Sequence, residues 1–165
     1  MIRALARHAA RFRADQSGAA LVEFALILPS ALVLLGVSVE GARTFWSYQT
    51  TVTGVRDAAR FVSRAADSDL CATGGSLAAW EPRLLDIVRT TATGATPFPV
   101  DVSVDAVTAD LACHDLGLRG GTVGVATVTA TLTIRHPFRT LFSLAGGTSG
   151  GITATVRDSA RLIGA

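Results

Sequence analysis

Glu23 is the single ionisable side chain between Gly18 and Val39, in the stretch GAALVEFALILPSALVLLGVSV. A carboxylate on an apolar helix costs ~2.5–3.5 kcal/mol at the centre of a bilayer and less near its rim, so such a residue usually has a partner or a task. Ala19 stands four residues earlier, on the same helical face. If the chain is cut between Gly18 and Ala19, the new ammonium on Ala19 comes within reach of that carboxylate. Inside one subunit the pair neutralises itself. Between subunits, Glu23 of one copy meets the ammonium of a neighbour and sets axial register, with a low dielectric sharpening the selection. The alternative is a Glu23 that snorkels to the membrane interface and does nothing specific.

The element that must position these groups is the apolar run itself. Its 22 residues reach ~33 Å as a helix, enough for a hydrocarbon core of ~30 Å. Arg3, Arg7, Arg11 and Arg13 precede it against Asp15 alone, a net +3, and no comparable charge follows it. This asymmetry places the N-terminus in the cytoplasm and the rest of the chain on the far side. The run is too long for the ~7–15 apolar residues of a secretory signal, and Val39-Glu40-Gly41 is a weak cleavage site. Pro29 lies inside it, removes one helical hydrogen bond and is expected to kink or loosen the helix.

The junction Gln16-Ser17-Gly18-Ala19-Ala20-Leu21-Val22-Glu23-Phe24 places a Gly at the end of a short basic leader and a Glu five positions later. It resembles a type IV prepilin leader. The longer stretch QSGAALVEFALILP, continued through GARTFWSYQTTVTGVRDAARFVSR, resembles the TadE/TadG-like minor pilins, or pseudopilins, of the tight-adherence pilus system. The resemblance covers roughly residues 10–66 closely. It implies a pilin-like fold, cleavage between Gly18 and Ala19 by a prepilin peptidase, and an assembly role for Glu23 and its neighbour Phe24. The implied partners are that peptidase, the other major and minor pilins, the inner-membrane assembly platform and the lipid bilayer. The implied location is the bacterial inner membrane, single-pass, with entry into the pilus open. The chain is too long for the major pilin of such a system.

The expected organisation is a removed leader (1–18), a transmembrane and assembly helix (19–40), an amphipathic continuation of that helix (41–66) and an extracytoplasmic α+β domain (67–165). Tyr48, Val52, Val55, Ala59, Val62 and Ala66 form one helical stripe, which Phe45 extends backward. Arg56, Arg60 and Arg64 flank it as a solvated face, with Asp57 and Asp67 spaced to pair with Arg60 and Arg64. Ser68 to Ser76 reads as a loop, and Pro82 to Thr91 as a short helix with Leu84, Leu85, Ile87 and Val88 inward. Three segments alternate with period two: Val100–Ala106, Ala126–Ile134 and Ile152–Val156. They predict a small antiparallel sheet with one face covered by the helical stripe.

Cys71 and Cys113 are the only cysteines. Outside the cytoplasm a disulfide between them is favoured over a metal site or redox pair, because no C-x-x-C is present and the nearest imidazole is His114. Such a bond contributes ~4 kcal/mol on the chain-entropy model. No catalytic constellation emerges. The three His are scattered, no G-x-S-x-G or H-E-x-x-H occurs, and the two Gly-rich stretches, 117–121 and 145–151, lack Walker spacing in a chain without Lys. No enzyme activity, cofactor or metal is expected. Nucleic-acid binding is a poor fit, since residues 19–165 carry eleven Arg against twelve acids, a net −1. The absence of Asn excludes N-glycosylation. The rival readings are a membrane-resident assembly factor, an anchored extracytoplasmic binding or adhesion domain, and a small anchored periplasmic enzyme.

Overall fold

A computed structural model describes residues 18–115, 117, 121–138, 140, 143, 146 and 150–164. The basic leader 1–17 and most of the two Gly-rich stretches lie outside the described residues. Helix α1 spans Ala19–Ala65 and is followed by α2 (Leu70–Thr73), a 3-10 turn (Ala78–Trp80) and α3 (Glu81–Arg89). Strands β1 (Val102–Asp115), β2 (Thr122–Arg135) and β3 (Gly151–Arg161) follow. The strands form one antiparallel sheet in the order β1-β2-β3. The architecture is α+β: a long N-terminal helix packed on a three-stranded antiparallel sheet, with one short helix beside it. The chain divides into two compact units, Met1–Val39 and Glu40–Ala165.

In the second unit the central strand decides the sheet. Ala126, Val128, Ala130, Leu132 and Ile134 point to one face and are all buried, as strict alternation on a covered sheet requires. They meet Val55, Ala58, Ala59, Val62 and Ala66 of α1 in a single core that also takes in Leu77, Leu84 and Val88. Gly54 is a close-approach point: a Cβ there would stand 3.1 Å from the Val88 Cα, so only hydrogen lets α3 come this near. Phe61 and Trp80 meet edge to face at 5.9 Å.

Four local expectations are corrected. The buried side of α1 between residues 40 and 51 is not Phe45 and Tyr48, which are exposed, but Glu40, Ser47 and Thr51. Ser47 Oγ donates to the Arg43 carbonyl and Thr51 Oγ1 to the Ser47 carbonyl, at 2.8 and 2.9 Å. Each hydroxyl is satisfied within its own helix, and burial then costs little. The first strand starts at Val102, leaves Val100 exposed, and continues well past Ala106 to Asp115. A bulge between Val104 and Ala106 inverts the alternation, so Ala106 faces out while Val107 and Ala109 face in. The segment 68–76 contains the four-residue helix α2, closed by Gly74 in the left-handed region. Among the described residues the one ion pair is Arg83–Asp86, so Asp57–Arg60 and Arg64–Asp67 remain apart, in keeping with the small energy of exposed pairs.

Cys71 and Cys113 form a disulfide that joins α2 to β1 across 42 residues. At the other end of the sheet, Arg43 Nη2 donates to the Val100 carbonyl at 2.5 Å, and Glu40 Oε1 accepts from the Phe138 N–H at 3.2 Å. These two bonds tie the segments before β1 and after β2 to α1. The C-terminal segment returns to the same helix, where the Ile163 N–H donates to the Ser63 carbonyl at 2.8 Å.

Candidate functional site

The residues singled out by type and spacing fall on the first unit, at the start of α1. Gly18 stands just before the helix, and its carbonyl accepts the first bond, from the Val22 N–H at 3.1 Å. Ala19 opens the helix, and Glu23 and Phe24 lie exposed on its first turns. Helical geometry puts Ala19 and Glu23 on one face. Pro29 lies within α1, which runs on through it without interruption. Ser30 Oγ donates to the Ile27 carbonyl at 2.7 Å and Ser38 Oγ to the Leu34 carbonyl at 2.8 Å. Local bonds of this kind let a hydroxyl enter an apolar medium without an orphaned donor.

Among the described residues, the apolar side chains around these positions are largely exposed. Leu21, Leu26 and Leu34 are 72%, 76% and 69% exposed, and the run is long and apolar enough to cross a membrane. Water strongly disfavours such a bare rod, at ~25 cal/mol per Å² of apolar surface. An apolar medium would relieve that cost. Just beyond the run, Phe45 and Trp46 are also exposed, at 66% and 64%. The helical stripe expected from spacing includes Phe45 on its buried side and does not mark Trp46. The signal available was an aromatic pair directly after an apolar run, the composition of an interfacial belt.

Residues 18–60 match a family model described as TadE-like protein. No curated protein and no solved structure matches the chain. The matched segment lies within the stretch whose residues carried the resemblance, and over that segment the chain is similar to TadE-like proteins. It contains Gly18, Ala19, Glu23, Phe24 and Pro29, and it stops before the sheet begins.

Outside the TadE-like segment the second unit holds a few polar groups of note. Asp105, the extra residue of the bulge, accepts from Thr133 Oγ1 at 2.6 Å and from Ser103 Oγ at 2.8 Å. These bonds, Thr133 first, hold its carboxyl below the usual carboxylate range against a small opposing effect of burial, with Arg89 and Arg135 assisting. Glu40 and His136 are both buried, and Glu40 Oε2 and His136 Nδ1 have no partner among the described residues. Sequence reasoning passed over both, since nothing in their flanking residues marks them for burial. Among the described residues no three His, Cys, Asp or Glu side chains cluster in a way that would hold a metal ion. His114 is exposed beside Cys113.

Proposed function

We propose that this chain is a minor pilin or pseudopilin of a tight-adherence-type pilus or a related secretion machine. The observation that carries the reading is the TadE-like match over residues 18–60, which takes in an apolar helical run whose side chains are largely exposed among the described residues. The precursor is inserted with its arginine leader in the cytoplasm and the disulfide-bonded body outside. A prepilin peptidase cuts between Gly18 and Ala19. The freed helix packs against other pilin helices and against the assembly platform in the inner membrane, while Phe45 and Trp46 sit at the membrane surface.

In this reading Glu23 does the selecting. Paired with the ammonium of a neighbouring subunit, it reports correct axial register, because a carboxylate left alone in hydrocarbon is strongly penalised. Phe24 packs beside it. Pro29 leaves the Ala25 carbonyl without its helical donor, a loose point that eases extraction of the helix from the bilayer.

Mass spectrometry of the N-terminus tests the processing step. A mature chain starting at Ala19 is expected. Recovery of Met1, or a start beyond Val39, defeats the proposal. Replacing Glu23 by Ala should then leave cleavage intact and impair assembly, and normal pilus formation in that variant removes the register role.

A further inference from the structure

We propose that the open edge of β3, with the groove beside it, receives an extended acidic strand from a partner protein. The two edges of the sheet are treated differently by the chain. On β1, Arg89 Nε and Nη2 donate to the Val104 carbonyl at 3.0 and 2.5 Å, and Glu81 Oε1 accepts from the Ala109 N–H at 3.1 Å. Side chains of α3 therefore occupy backbone groups of that edge. No described residue does this for β3. Its register with β2 and the bond from the Leu162 N–H to the Gly124 carbonyl turn the even-numbered residues toward β2. The N–H and C=O groups of Thr153, Thr155, Arg157, Ser159 and Arg161 then face away from the sheet. Such a row is a template for another strand.

The space next to this row has the shape for one. A groove of about 380 Å³ lies between Tyr48, Val52 and Arg56 of α1 and residues 155–158 of β3. A strand added there sends alternate side chains to opposite faces. Those on the helix side meet Tyr48, Val52 and Val156, which suit small apolar residues. Those on the outer side meet Arg157 and Arg161, which have no carboxylate within ion-pairing distance among the described residues. The acid in the groove is Asp158, half-buried on the helix side, and Arg56 is a further cation of the lining. A second copy of β3 is a poor occupant. Antiparallel pairing matches outer-face residues with outer-face residues, and the outer face of β3 offers Thr, Ser and Arg but no acid. The pattern that fits alternates apolar and acidic residues.

The test uses the full chain in detergent micelles and two synthetic peptides. One alternates valine with glutamate and the other valine with lysine, each about eight residues long to match an edge strand. Fluorescence anisotropy should show the glutamate peptide binding about tenfold more tightly. Its binding should slow amide exchange at Thr155, Arg157 and Ser159. Thr155→Pro removes an outward donor and no bond to β2, a substitution that edge strands tolerate. It should abolish binding while thermal unfolding is unchanged. Arg157→Glu combined with Arg161→Glu should reverse the preference between the peptides. Equal affinity for both peptides, binding of neither, or binding that survives Thr155→Pro overturns the proposal. So does a concentration-dependent dimer of the wild type that Thr155→Pro dissolves, which would assign the edge to a second copy.

Discussion

The two halves of α1 obey different rules although they are one helix. Up to Val39 its side chains are apolar on every side and almost all exposed; from Glu40 on, one face is buried and the other carries Arg56, Arg60 and Arg64 into solvent. The buried face includes several small side chains, Ser47, Thr51, Ala58 and Ala59, with the half-buried Gly54 beside them. The first half, largely exposed among the described residues, is suited to an apolar medium, and the second finds its medium in the chain's own sheet. A helix's partner is thus encoded less by how hydrophobic it is than by how its hydrophobicity is distributed around the axis.

The same substitution in each half should fail in different ways. Val62→Asp buries an unpaired carboxylate at a fully buried position. Against a total stability of ~5–15 kcal/mol, a cost of several kcal/mol should abolish cooperative unfolding of the body, read by near-UV circular dichroism of the full chain in micelles. Val37→Asp, at an exposed site, should leave that signal intact and instead impair membrane insertion by up to ~3 kcal/mol. Equal effects on both readouts would erase the distinction between the halves.

A milder contrast lies in two glycines of the second half. Gly54 abuts the Val88 backbone, whereas a Cβ on Gly41 would meet nothing within 4 Å. Gly54→Leu should destabilise by ~1–3 kcal/mol through overpacking. Gly41→Ala should stabilise by up to ~1 kcal/mol through helix propensity. Thermal denaturation ranks the two.

The smallest effect concerns pH, and it sharpens the contrast between the apolar helix and the polar margin of the body. The carboxyl of Asp105 is held below its ordinary value by Thr133 and Ser103. A depressed pKa contributes stability that is fully present above the unfolded value of ~3.9 and is lost as pH falls through the lower folded value. Body stability should therefore decline in this acid window, and less so in Thr133→Val. An NMR titration of Asp105 should show its pKa rising toward the ordinary value in that variant.

The parts of the fold that were legible in the sequence are those whose residue type and geometry agree. The alternation Ala126–Ile134 reads directly because β2 is central and has one covered face. The alternation of β1 misleads after Val104, since Asp105 is an inserted residue stabilised by two hydroxyls that sequence spacing does not reveal. The face of α1 misleads at Tyr48 because buried Ser47 and Thr51 count as polar in composition yet carry satisfied hydroxyls in the helix. The candidate site divides similarly. Glu23 and Pro29 stand out because they interrupt an apolar background, Gly18, Ala19 and Phe24 through the resemblance of the junction around them, and the cysteine pair because it is alone. Glu40 and His136 do not stand out, for their burial is decided by the segments tied to α1 through Arg43–Val100 and Glu40–Phe138.

Arg89 and Glu81 cap β1 in a way that has a directional consequence. With the Val104 carbonyl and the Ala109 N–H already engaged, that margin is the less receptive one. If this body joins a shared ribbon of strands through its sheet, it would favour a place at the end of the ribbon over one in the middle.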